Sequence, residues 1–180
     1  MYFSVFVKVS AQSFETANIA KLTIPQDIQL LVLVFLTIAT AIRMPVFPFH
    51  GWVSDYLADI PPSVSAVLIA NSLGTGSYVL IRFALPLCPD VILTYNRYFI
   101  FIAMITMIYG ALVALMNPHI IQRLGFASLG YSGFLLMGIF TLNDISLAGT
   151  ALMSVNYMIT ITVLILASGW ISQKADSALL

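Results

Sequence analysis

Charge is scarce in this sequence. Seven Lys and Arg and seven Asp and Glu make up 8% of 180 residues and cancel to a net charge of +0. A soluble domain carries about a quarter charged residues, so a water-facing globular surface is excluded over most of the chain. No basic patch invites nucleic acid. Cysteine is scarcer still, with Cys88 alone. That excludes an internal disulfide and a cysteine-ligated zinc or iron–sulfur centre, and leaves Cys88 as a small apolar filler. There is no Rossmann glycine fingerprint and no phosphate-binding loop. Redox and nucleotide chemistry are not expected on this chain, and neither a catalytic residue nor a metal site is assigned.

What is present is hydrocarbon. Hydrophobic residues make up 61% of the sequence, and mean hydropathy is +1.02. A spanning helix needs about twenty mostly apolar residues. Five segments qualify, at about 28–47, 61–87, 98–116, 124–142 and 147–171. The connections "HGWVSDYLADI", "CPDVILTYNR", "NPHIIQR" and "NDIS" are short and contain turn or breaker residues. Helices satisfy their own backbone in lipid, so the expected fold is an all-α membrane protein, an antiparallel bundle of five spans. Residues 1–27 read as an extended or interfacial lead-in, because "MYFSVFVKV" partly alternates. Residues 28–172 form the five-helix bundle and 173–180 a polar tail. Lys8, Lys21, Glu15 and Asp27 give the N-terminus neither transit-peptide nor signal-peptide character, so no removable targeting segment is expected. Lys8, Lys21, Arg82 and Arg97 fall on one side against Arg123 and Lys174 on the other, too small a bias to orient the bundle.

The stretch "TAIRMPVFPFHGWVSD" concentrates unusual features. Arg43 is the ionisable residue set away from the ends of the spans, where a charge costs several kcal/mol. Pro45 and Pro48 each remove a backbone donor and block the carbonyl one turn earlier. Two readings stand: a discontinuous helix bordering an ion path, or a helix end from which Arg43 snorkels to the headgroups. His50 suits proton relay and Trp52 suits interfacial anchoring. His119 reads as a loop or cap residue. The second span is interrupted by "ANSLGTGSY". Asn71 and Gly74 mark either a kink beside a water path or close packing through small residues. Asn156 and Tyr157 read as hydrogen-bonding glue between helices.

"IRMPVFPFHGWVSD" resembles the "K-[ML]-P-x-x-P-x-H-x-W-L-P-D" signature of the antiporter-like subunits of respiratory complex I. "SVSAVLIANSLGTGSYVLIRFALPLCP", "IYGALVALMNPHIIQRLGFASLGYSGFLLMGIFTLN" and "GTALMSVNYMITITVLIL" resemble the helices that follow, over about 40–174. "RFALPLCP", "GIFTLN" and "SVNY" favour the chain 4, or subunit M, type over chains 2 and 5. The resemblance implies a place in redox-driven proton translocation, on the inverted-repeat antiporter fold with one or two discontinuous helices. It places Arg43 where the family has a proton-exchanging lysine, Gly74 where it has a central lysine, and Gln122 at the lysine before Arg123. Tyr131 and Tyr157 stand at two histidines, while His50, Trp52 and Asp55 are retained.

Arginine stays charged, glycine and glutamine do not titrate, and tyrosine titrates near pH 10. The expectation is therefore a degenerate module, truncated or split, whose role is mainly structural. Arg43, His50, Asp55 and Arg123 would be proton-path or structural charges, and another chain would supply the missing helices and an acid for Arg43. The alternative is an active half of a proton channel completed by a partner. The resemblance implies lipids and other membrane-arm subunits of complex I as partners, with FMN, iron–sulfur clusters and quinone on other subunits. It implies the mitochondrial inner membrane, or else a bacterial plasma or thylakoid membrane. A standalone small transporter is disfavoured, since five spans do not complete a repeat.

Overall fold

The structure, a computed structural model, describes residues 25–53 and 60–178. It contains five long helices and, among the described residues, no strand. We number them α1 (Gln26–Arg43), α2 (Pro62–Leu87), α3 (Pro89–Met116), α4 (Ile120–Phe140) and α5 (Asp144–Ala178). All five are long and apolar enough to cross a membrane. The chain is an all-α membrane protein.

Local sequence explains most boundaries. Pro25 caps α1, and Asp27 and Arg43 sit in the first and last turns, where they complement the helix dipole. The helix stops because Met44 precedes Pro45 and is extended, at φ −87° and ψ 111°, as a residue before proline prefers. Pro62 opens α2 at its first position, where its missing N–H is no loss. Asn117, before Pro118, is extended and closes α3.

Three boundaries differ from the sequence reading. The third helix begins at Pro89, not near residue 98: Pro89 and Asp90 form its first turn, and Thr94, Tyr95 and Arg97 lie exposed on it. At 28 residues it is about 42 Å long, longer than the ~30 Å hydrocarbon core, so its polar opening turns occupy headgroup height. The fourth helix begins at Ile120, before the expected 124. The tail expected from residue 173 is helical to Ala178, since "SQKADSA" holds no breaker. The lead-in expected over 1–27 lies outside the described residues except for its last three, where α1 already begins.

The second helix runs through Asn71 and Gly74 as regular α-helix to Val79. The break expected there is absent. The irregularity falls instead at Leu80–Ala84, a π-helical turn. Pro86 cannot donate to the carbonyl of Arg82, and Leu85 N–H donates to Leu80 five residues back.

Packing relies on small residues, as expected where lipid is as apolar as leucine. At the α3–α4 contact a Cβ on Gly133 would stand 2.6 Å from the Ala103 carbonyl oxygen, and Gly110 lies directly on the Gly130 backbone. In the α2–α5 pair, Gly74 lies under Met158 and Gly169 on Pro62. Leu33, Met44, Leu73, Leu80, Ile139 and Phe140 fill the centre, and Phe99 stacks on Phe140 at 4.4 Å.

The helix break and the mid-depth polar row

The helix break is not the end of the first span. Gln29 Nε2 donates to Asp90 Oδ2 at 3.4 Å, Phe47 N–H to Thr106 Oγ1 at 3.3 Å, and His50 Nε2 pairs with the Tyr109 hydroxyl at 3.1 Å. The partners are 61, 59 and 59 residues apart. Helix α1 and the irregular stretch after it therefore run alongside α3 in the same direction. Arg43 is level with Ile102, the middle of α3. The first span is one discontinuous element, broken half-way through the bundle.

Breaking a helix leaves its last carbonyls without partners, and the surroundings supply them. Trp52 Nε1 donates to the Ile42 carbonyl at 3.0 Å. The Ser132 hydroxyl on α4 is shared between the carbonyls of Pro45 and Leu129. Thr106 Oγ1 accepts from Phe47 while donating to Ile102 at 2.8 Å. Phe47, His50 and Tyr109 form an aromatic cluster with centroids 4.8–5.8 Å apart. His50 Nδ1 is buried with no partner among the described residues. The break also leaves a cavity of about 130 Å³, lined by Met44, Phe47, Phe49, Leu80, Phe99 and Phe140 among others.

The sequence-predicted residues scatter. Pro45 is buried at the break and Pro48 exposed. Arg43 is exposed, and among the described residues no carboxylate pairs with it. Asp55 lies outside the described residues. Arg123 lies in the first turn of α4, where Nε and Nη2 donate to the Asn117 carbonyl at 3.1 and 2.9 Å. Gln122 is half-buried beside it, about 14 Å along α4 from Tyr131. His119 caps α4, and its N–H donates to Asn117 Oδ1.

Tyr131 and Tyr157 do meet. Their rings stack at 3.6 Å, with planes 9° apart. Tyr131 donates to the Met153 carbonyl at 2.9 Å, and Tyr157 to Ser128 Oγ at 3.4 Å. Ser128 and Ser132 lie one turn apart on α4, so a row of polar side chains crosses the bundle near its middle: His50, Tyr109, Thr106, Ser132, Ser128, Tyr157, Tyr131. Sequence reasoning missed Tyr109, Thr106, Ser128 and Ser132. The available signal was a hydroxyl at the centre of an apolar helix.

Comparison with known proteins fixes the family. The model of the NADH:quinone oxidoreductase/Mrp antiporter transmembrane family matches residues 3–179. The chain belongs to this family. NADH-quinone oxidoreductase subunit M of Rickettsia typhi is 30% identical over 172 residues, covering 94% of this chain and 35% of that protein. NAD(P)H-quinone oxidoreductase chain 4 2 of Thermosynechococcus vestitus is 34% identical over 145 residues, 81% of this chain and 27% of the relative. Among solved structures, a chain of respiratory complex I from Thermus thermophilus with bound NADH superposes with a TM-score of 0.85 at 21% identity, covering 93% of this chain and 36% of that one. The chain thus carries this family's fold and spans about a third of the length of these relatives.

Proposed function

We propose that this chain is a membrane-arm element of a proton-translocating NADH:quinone oxidoreductase, complex I, in which the exchanging relay is replaced by a fixed frame. The stacked Tyr131–Tyr157 pair carries this reading. Both positions resemble family histidines, yet here they hold rings locked face to face, with hydroxyls tied to Met153 and Ser128. Such rings pack two helices together and do not trade protons near neutral pH. Gly74, where the family resemblance expects a lysine, lies beneath Met158. Arg43 supplies a permanent charge at the break and no exchangeable proton.

The reading also requires a partner. An exposed guanidinium at mid-depth is costly in hydrocarbon, so a carboxylate from helices outside this chain would face Arg43. Other membrane-arm subunits and lipid surround the bundle, and flavin, iron–sulfur clusters and quinone belong to other subunits. The compartment is an energy-coupling membrane, mitochondrial inner, plasma or thylakoid; fractionation of the source cells distinguishes them.

A second reading, an active half-channel completed by a partner chain, draws on the His50–Tyr109 pair, which keeps one imidazole, a side chain suited to proton relay. Substituting Arg43→Gln in the assembled complex decides between them. The frame reading expects reduced assembly, with protons moved per NADH unchanged in the complexes that form. Intact assembly with a lower proton yield overturns it.

A further inference from the structure

The outward face of α2 is apolar at one end and polar in the middle. Val64 and Val67 are 46% and 64% exposed, as suits contact with lipid. Two turns beyond Val64 the outward stripe becomes exposed Asn71, half-buried Thr75 and exposed Tyr78, spaced four and three residues apart and so on one side of the helix. Asn71 is exposed and Tyr78 is 58% exposed. The opposite side, with Leu73, Gly76, Ser77 and Leu80, is buried in the bundle. Ser72, Gly76 and Ser77 of "ANSLGTGSY" thus face inward, and Asn71, Thr75 and Tyr78 face outward.

Only part of this polarity is satisfied within α2. Thr75 Oγ1 donates to the Asn71 carbonyl at 2.6 Å and lies 3.0 Å from Asn71 Oδ1. The Asn71 amide nitrogen and the Tyr78 hydroxyl have no hydrogen-bond partner among the described residues. Helix α2 has 26 residues and is about 39 Å long, which puts Asn71, Thr75 and Tyr78 within the hydrocarbon layer. Polar side chains at that depth face protein or a water-filled cavity.

We propose that the Asn71–Thr75–Tyr78 stripe is the docking face for a transmembrane helix from outside this 180-residue chain, one that presents amide, hydroxyl or carboxyl groups at those two heights. Two observations choose a helix over lipid or water. The related proteins are about three times as long as the matched region, which in them leaves length for further helices beside it. The two hydrogen-bonding groups also lie two turns apart, about 10 Å, with Thr75 between them held back against its own helix. Anchors at i, i+4 and i+7 are the spacing with which one helix docks on another.

Photocrosslinking in the intact membrane complex tests this. A benzophenone amino acid replaces Asn71 or Tyr78, with Ile108, 52% exposed on α3, as the lipid-facing control. Positions 71 and 78 are expected to crosslink to one transmembrane peptide, identified by mass spectrometry, with a polar residue within a turn of each crosslink. Position 108 should label lipid. Spin labels at 71 and 78 should show oxygen accessibility severalfold below that at 108. Lipid adducts alone at 71 and 78 overturn the proposal. So does ready access of a water-soluble nickel chelate to those labels, which would mark an aqueous path.

Discussion

The rings of Tyr131 and Tyr157 lie face to face across the α4–α5 contact, 3.6 Å between centroids. Each hydroxyl points away from the stack to a partner of its own. The pair is a joint between two helices, and its behaviour on substitution should be that of a joint. Tyr157→Phe keeps the stack and gives up one 3.4 Å contact, so stability should change by no more than about 1 kcal/mol. Tyr157→Ala removes a ring, at about 3 kcal/mol. Thermal unfolding of the purified assembly reads both, and equal effects would contradict a packing role.

Two glycines separate hard contact from soft. A Cβ on Gly133 meets the backbone of Ala103 and Met107, which belongs to a helix and cannot yield. Gly133→Ala should part α3 from α4 and cost about 1–3 kcal/mol. On Gly74 the Cβ meets the far end of the Met158 side chain, a flexible thioether that can swing aside. Gly74→Ala should therefore be tolerated to within about 1 kcal/mol. Paired unfolding curves of the two variants give the comparison, and a larger loss at Gly74 would refute it.

The break is held by hydroxyls. Thr106→Val leaves the Phe47 N–H without its acceptor, at about 1 kcal/mol or more. Local opening there should become about five- to tenfold more frequent, read as faster hydrogen exchange of the Phe47 amide. Exchange confined to its original rate would show that Thr106 does not hold the segment.

Hydropathy made the five spans legible, because a run of twenty apolar residues has few alternatives in lipid. Pro45 and Pro48 disclosed the discontinuity for a local reason, a missing donor and a blocked carbonyl. The start of α3 was obscured because Thr94, Tyr95 and Arg97 read as a loop by composition, yet at headgroup height a helix carries such residues freely. The irregularity of α2 was sought at Gly74 and lies at Leu80–Ala84: glycine weakens a helix but obliges no change of hydrogen-bond pattern, whereas Pro86 does. The latches at the break were not legible at all. Thr106 and Ser132 stand 59 and 87 residues from the groups they hold, and only the packing of α3 and α4 brings them there. Arg43 was identified by its depth, but its exposed position depends on the rotation of α1 about its axis, which hydropathy does not define.

Helix α5 has 35 residues and is about 52 Å long, against about 40–45 Å for a bilayer with its headgroups. It starts at Asp144 and carries Trp170 with the Lys174 ammonium 4.3 Å above its ring, the aromatic and cationic pairing suited to the lipid–water boundary. Its last turn therefore reaches past the boundary that Trp170 and Lys174 mark. A fluorophore fixed to that turn would report how far the end of the helix lies from the bilayer, and so how the bundle tilts within the assembly.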